Sequence, residues 1–464
     1  MDDHHILSAE NGGNGNVNGN GNGAAAAGSL KPPPPITAAE LASEFSHHDP
    51  AVARLNNGSF GCCPSSVLSA QSSYRRLFLS HSEAFFFRHL QPSLLRSRAA
   101  VKSLIGARDL SSVSLVDNAT TAAAVVLRHV SWSLLSSPSL PGDAVLVLHY
   151  AYSAVKKSIL AYAARAGAAV IEVPLHFPVS SEHEIIQQFR RSLSLARSDG
   201  RRVRLAVIDH ITSMPCVVIP VKELIKICRE EGVDQVFVDG AHAIGNVEVD
   251  VEDIGADFYT SNLHKWFFCP PAVAFLHCRN PDLVDLHHPV VTNEYGNGLP
   301  AESGWVGTRD YSAQLIIPDA VVFVNRFKGG IEGIRKRNHE RVVEMGKMLA
   351  EAWGTFLGSP PEMCGSMVMV GLPVSLGIFS DGDATRLRNL LRDEFRIEAP
   401  MYYNSRKDSR KSCESVDEEK NFSVTGYVRI SHQVYNVEDD YRRLRDAILK
   451  LVRDGFNCAM LQSI

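Results

Sequence analysis

The run Val236-Phe237-Val238 ends on Asp239, and an imidazole, His242, follows three positions later. Downstream, Ser261-Asn262-Leu263-His264-Lys265-Trp266 places a lysine among aromatic and apolar neighbours just after another β-rich run. Desolvation there lowers the pKa of the ammonium and frees a nucleophilic amine, so Lys265 is a candidate Schiff-base former. A carboxylate at a strand end faces a ligand or caps a helix. Taken singly, such residues most often cap or snorkel, and it is their order along the chain that carries information. A third group, Val116-Asp117-Asn118-Ala119-Thr120-Thr121, precedes the helical run 122–129. Backbone N–H groups and hydroxyls at a helix N-terminus bind a phosphate dianion, and an Asn or Thr there is also an ordinary N-cap.

These groups need elements to hold them in place. Candidate strands at 144–148, 169–173, 205–209, 235–239 and 258–261 alternate with amphipathic stretches; in one of these Val221, Leu224, Ile225 and Cys228 recur at helical spacing and Gly232 closes the segment. That alternation predicts an α/β layer sandwich with a mainly parallel sheet, in which ligands bind at the carboxyl ends of strands. After Pro318 the pattern changes to a long helical stretch over 320–352, then short strands and a helix near 439–453, which predicts a smaller C-terminal α+β domain. The expected organisation is a disordered Gly/Asn/Pro-rich tail over 1–36, an N-terminal segment over 37–64, a large domain over 65–317 and a small one over 318–464. The polar stretch 404–423 reads as a mobile surface insertion.

Composition narrows the class of function. With 464 residues, 45 % hydrophobic and 21 % charged, the chain has the make-up of a core-forming globular protein of more than one domain. A formal charge of −4 with no long basic block argues against nucleic acid and anionic membrane surfaces as partners. The longest apolar candidate, 266–278, is short and broken by Pro270-Pro271, so no membrane span is expected. Nine scattered cysteines without C-x-x-C spacing read as reduced thiols, and the acidic start at Asp2-Asp3 points to the cytoplasm.

The order strand-Asp239-x-x-His242, then strand-Ser261-x-x-His264-Lys265, resembles the class V aminotransferase family of pyridoxal-phosphate enzymes, which have fold type I. The likeness runs from about Arg54 to Arg453. It implies a pyridoxal 5′-phosphate cofactor on Lys265, with Asp239 on its pyridine nitrogen and His242 beside its phenolic oxygen. It further implies a phosphate loop at Ala119 and Thr120, and a ring stacked from Tyr152 at the end of His149-Tyr150-Ala151-Tyr152. Ser213 would approach the phenolic oxygen, with Thr212 equally placed, and Asn262 and His264 would flank the cofactor. Within Gly304-Trp305-Val306-Gly307-Thr308-Arg309, Thr308 matches the residue that crosses a dimer interface to the partner's phosphate, which implies a homodimer with shared active sites. Arg429, in Tyr427-Val428-Arg429-Ile430-Ser431-His432, matches the arginine that pairs with the substrate α-carboxylate. Asn57, Gly58 and Ser59 match a loop over the substrate. One departure is that Asn262 stands where many members have a phosphate-binding serine, with Ser261 one step earlier.

The stretches 56–64, 115–124, 209–216, 239–245, 261–271 and 427–436 are similar to the plant L-cysteine desulfhydrase branch of that family. The implied activity is that of a carbon–sulfur lyase degrading L-cysteine by β-elimination to pyruvate, ammonia and hydrogen sulfide. The same scaffold could instead serve a cysteine desulfurase, with Cys413 as persulfide carrier, or an epimerase or aminotransferase; a cofactor-binding scaffold without turnover is the non-enzyme reading. No metal site is expected. Adjacent histidines such as His47-His48 and His287-His288 point apart on a regular element, and the thiols of Cys62-Cys63 read as packing.

Overall fold

The computed structural model of the chain describes residues 33–132, 142–404 and 424–461. In chain order the strands are β1 (Ala53–Arg54), β2 (Val113–Val116), β3 (Asp143–Leu148), β4 (Ala169–Val173), β5 (Arg202–Asp209), β6 (Gln235–Asp239), β7 (Phe258–Asn262), β8 (Ala274–Cys278), β9 (Met367–Gly371), β10 (Ile397–Glu398), β11 (Met401–Tyr403) and β12 (Gly426–Ser431). Seven of them form one sheet in the order β2-β8-β7-β6-β5-β3-β4, and only β8 runs antiparallel to its neighbours.

Central strands of this sheet are apolar on both sides because helices cover both. Val145, Val147, Leu205 and Val207 point into one core with Val126, Val155 and Ile159, from the helices Ala119–His129 and Ser153–Tyr162. Their alternating neighbours Leu146, Leu148, Ala206 and Ile208 share the opposite core with Phe189 and Leu224, from the helices Glu182–Ser198 and Val221–Glu230. In the latter helix Val221, Leu224, Ile225 and Cys228 are buried as their spacing requires, and Gly232, at φ 74°, reverses the chain beyond it.

The C-terminal part has a core of its own. The antiparallel sheet β11-β12-β9 packs with the helices Gly330–Trp353, Asp381–Phe395 and Glu438–Arg453. β1 pairs in parallel with β10, and Ala53 and Leu55 are buried in this second core. The chain therefore leaves the C-terminal core at Leu55 and passes toward the large sheet through residues 56–64. The single helical stretch expected over 320–352 is two helices, Ile317–Val324 and Gly330–Trp353, because Gly329 and Gly330 adopt φ of 77° and 55° and turn the backbone between them. Residues 405–423 of the expected insertion and residues 1–32 of the expected tail lie outside the described residues.

Candidate active site

Three strand ends make the floor of the site. β5 and β6 run in register so that Asp209 lies opposite Asp239, each at the carboxyl end of its strand. β7 ends on Asn262 and turns directly into the short helix Leu263–Trp266, which carries His264 and Lys265. Lys265 Nζ stands 3.1 Å from His242 Nε2. The other ring nitrogen, Nδ1, accepts from the indole N–H of Trp266 at 3.4 Å. Indole only donates, so Nδ1 is the acceptor and the neutral ring carries its proton on Nε2, a tautomer that pairs with the neutral amine form of Lys265.

Burial sets the electrostatics here. It pushes the Lys265 ammonium down to about 8; Asp239 opposes the shift and Arg429 adds to it. His242 falls well below its usual value through burial, reinforced by the charges of Lys265, Arg429 and His264, and stays neutral. Asp239 rises through burial, against the Ala241 N–H that donates to it at 3.0 Å and against Lys265. Asp209 rises further, first from burial and then from repulsion by Asp239, and its Oδ2 is buried without a hydrogen bond from the described residues. His264 is lowered to about 4, mainly by burial, and its Nδ1 lies 3.0 Å from the Val273 carbonyl.

Beside this floor, Asn118 caps the helix Ala119–His129 by accepting from Thr121 N–H at 2.9 Å. Asn262 Oδ1 accepts from Ala119 N–H at 2.9 Å, tying the end of β7 to the helix start. Ala122 N–H bonds the Asn118 carbonyl. Among the described residues this leaves Thr120, exposed, as the first-turn residue whose N–H has no protein partner. Ser261 is turned away and accepts from Ile244 N–H at 3.2 Å. The departure at Asn262 thus has a structural counterpart: its carbonyl oxygen organises the helix start and its NH₂ is left to donate. Tyr152 precedes the helix Ser153–Tyr162 and is 46 % exposed. An amine that is partly neutral at pH 7, a strand-end carboxylate and a helix start with an unengaged N–H together suit pyridoxal phosphate.

Arg429 forms the opposite wall. It stands in β12, only 2 % exposed. Nη1 donates to the Ser213 carbonyl at 2.6 Å and lies 3.4 Å from Ser213 Oγ; Nη2 donates to Asn56 Oδ1 and Ser59 Oγ, both at 2.8 Å. Nε is buried without a partner among the described residues. Every acceptor is a neutral oxygen, so burial lowers the guanidinium to about 10. Glycines let the loop come this close. A Cβ on Gly58 would stand 2.4 Å from Met367 Sδ, and one on Gly61 would stand 2.1 and 2.3 Å from the His264 and Lys265 carbonyl oxygens.

The sequence-expected residues fall into distinct places. Lys265, Asp239 and His242 meet as one cluster, with Asn262, Ala119 and Thr120 beside it at the start of the helix Ala119–His129. Ser213 reaches Arg429, whereas Thr212 is buried and turned into its own loop, where its hydroxyl bonds Pro215 O. Asn57 has its polar groups taken by protein partners: Ser431 Oγ on its N–H, Asn436 Oδ1 on its NH₂ and the Tyr435 hydroxyl on its carbonyl oxygen, each at 2.8 Å. Thr308 is exposed, in a loop whose Arg309 pairs with Asp117 at 2.7 Å. Sequence reasoning missed Asp209 and Asn56. A strand-end Asp in each of two consecutive strand-like runs was the available signal for the first. Nothing local distinguishes Asn56 from Asn57.

One premise of the sequence reading is corrected. His47 and His48 lie in a turn after the helix Ala38–Glu44, on neither strand nor helix, and their rings converge on Cys62 instead of pointing apart. Cys413, the expected persulfide carrier, lies outside the described residues. Among the described residues no helix is long and apolar enough to cross a membrane.

A family model described as aminotransferase class-V matches residues 65–296. The chain is 66 % identical over 430 residues to "Putative L-cysteine desulfhydrase 1" of Oryza sativa subsp. japonica, covering 92 % of this chain and 89 % of the relative. It is 60 % identical over 429 residues to "Probable L-cysteine desulfhydrase, chloroplastic" of Arabidopsis thaliana, covering 92 % and 88 %. Among solved structures, a C-DES mutant with glycine covalently linked to its PLP cofactor superposes with a TM-score of 0.65 at 17 % identity, over 88 % of this chain and 98 % of that one. The fold type I architecture expected from the sequence is the one observed.

Proposed function

Because the chain belongs to the class V aminotransferase family, we propose that it is a carbon–sulfur lyase that degrades L-cysteine by β-elimination, giving pyruvate, ammonia and hydrogen sulfide, with pyridoxal phosphate held through Lys265. The observation that carries this reading is the meeting, in one cleft, of a desolvated amine and a buried guanidinium that has no carboxylate partner among the described residues. Bound pyridoxal phosphate would supply the electron sink for the pair left on Cα when the Cα–H bond breaks. Asp239 would hold a proton on the pyridine nitrogen. Lys265 Nζ would take the α-proton on its lone pair, and the Nε2–H of His242, 3.1 Å from it, would donate to the cofactor's phenolic oxygen. Thr120, through its N–H and hydroxyl, and the Asn262 NH₂ would receive the phosphate, with Ala119 holding Asn262 in place through its N–H, Tyr152 against one ring face and His264 and Ser213 at the edges. Arg429 would hold the α-carboxylate through its free Nε and a redirected Nη, with Gly58 and Ser59 closing above and Asn57 anchoring that loop. The thiolate then leaves from Cβ.

Dimerisation is part of the proposal. Thr308 is solvent-exposed, and Trp305 in its loop packs 6.1 Å from the ring of Phe87, itself 76 % exposed. An apolar surface beside the residue that would reach a partner's phosphate supports shared sites. A monomer at working concentration would remove that support. Cytoplasmic residence is proposed as well, and a full-length fluorescent fusion coinciding with chloroplasts would overturn it.

The central experiment measures sulfide, pyruvate and ammonia from purified protein supplied with L-cysteine, D-cysteine, cystine or serine. Equal amounts of the three products from L-cysteine are expected. Alanine with a protein-bound persulfide would convert the reading to a desulfurase, D-cysteine to an epimerase, and a keto acid that retains sulfur to an aminotransferase.

A further inference from the structure

Outside the cleft, His47, His48 and Cys62 bring one ligand atom each to within 4.8 Å of one another. His47 Nε2 lies 3.6 Å from Cys62 Sγ and His48 Nε2 lies 2.5 Å from it. The His48 ring is braced by Tyr435 at 4.8 Å and Phe45 at 5.4 Å, and the Ser65 hydroxyl lies 3.5 Å from His47 Nδ1. Zinc–sulfur bonds of about 2.3 Å and zinc–nitrogen bonds of about 2.0 Å at tetrahedral angles place N and S roughly 3.5 Å apart. The His47 pair already has that spacing, and the His48 pair needs to open by about 1 Å. Two imidazoles and a thiol are the donor types a borderline-soft divalent ion selects over magnesium or calcium. We propose that His47, His48 and Cys62 bind a zinc-class divalent ion, with a solvent molecule at an open fourth position on the exposed His47 side.

The placement gives the site a consequence. The ligands at 47–48 and at 62 bracket residues 56–61, which hold Arg429 through Asn56 and Ser59 and lie against the Lys265 backbone at Gly61. Zinc would clip both ends of that loop together. Binding exchanges the Cys62 thiol proton for the metal, the proton leaving to solvent, with no change of oxidation state.

The test is zinc content and affinity of the full chain in its cofactor-loaded form, under a phosphine reductant. About one zinc per chain is expected, with a Kd below about 1 µM. Cobalt in its place should show the visible bands of a tetrahedral thiolate site. Cys62→Ser should weaken zinc on the order of a hundredfold or more. His47 is exposed, so His47→Gln keeps its fold and serves as the second variant should Cys62→Ser misfold. Iodoacetamide labelling of Cys62, mapped by peptide mass spectrometry, should fall when zinc is present. A Kd above about 1 µM, affinity unchanged in both variants, or labelling indifferent to zinc would each overturn the site.

Discussion

The floor of the cleft and the Arg429 wall are built from different kinds of sequence information. Asp209, Asp239, His242, Asn262 and Lys265 come from one stretch of the chain; strand register places Asp209 opposite Asp239, while the turn after β6 carries His242 and the short helix after β7 carries Lys265. At the wall, Arg429 meets Asn56 and Ser59 across 373 and 370 residues, through a loop that glycines allow to close. Their electrostatics differ in the same way. Floor groups titrate, and burial moves them toward neutrality. The wall carries a fixed cation faced by neutral oxygens, which suits recognition of an anion. The difference teaches that, in the proposed mechanism, proton chemistry falls on the sheet, whereas substrate recognition falls where two distant segments meet.

Removing the amine should do the most damage to the floor. Lys265→Ala should abolish borohydride-fixable cofactor and reduce lyase activity on the order of a thousandfold or more. The lowered pKa gives this a pH signature in wild-type protein. The neutral amine is the reactive form, so capture of free pyridoxal phosphate should accelerate about tenfold per pH unit up to about 8 and then level off. A plateau reached only near the ordinary lysine value would mean that the amine is solvated, and the contrast between floor and wall would weaken.

Next in size is Asp239→Asn. The amide keeps the strand-end shape and the Ala241 contact but cannot balance a pyridinium charge, so bound cofactor should persist while kcat falls about 100- to 1,000-fold. Unchanged turnover would reduce Asp239 to a structural acceptor. Arg429→Lys tests the wall. It keeps the charge and loses the fork, so KM for L-cysteine should rise about 10- to 100-fold, with a smaller fall in kcat and unchanged cofactor absorbance. Loss of cofactor with an unchanged KM would make Arg429 structural.

Legibility followed the same division. The strand ends at Asp209 and Asp239 and the helix Val221–Glu230 follow from local apolar patterns, and the fold class follows from their alternation. Lys265 stood out because a lysine between His264 and Trp266 is locally anomalous. What escaped depended on contacts between distant segments or on backbone detail. That Asn56, not Asn57, reaches Arg429 is fixed by Ser431, Tyr435 and Asn436 holding Asn57 elsewhere. The break at Gly329-Gly330 needed two positive φ angles that helical periodicity does not report. The convergence of His47 and His48 on Cys62 needed a turn where the reading assumed a regular element.

The smallest effect should come from Asn56→Ala. Asn56 supplies one of the two oxygens on Arg429 Nη2, and Ser59 Oγ supplies the other at the same 2.8 Å. Removing one leaves the guanidinium held by Ser59 and by Ser213 on Nη1, so the net cost should be near 1 kcal/mol, a rise in KM of about fivefold. Since the floor is untouched, kcat and its pH profile should stay as in wild type. Ser59→Ala should behave alike, and the double variant should raise KM by more than the product of the single effects, because only then does Nη2 lose both acceptors. If kcat falls together with KM in the single variants, the wall also aligns the Cα–H bond, and the division between recognition above and proton transfer below has to be redrawn at Asn56.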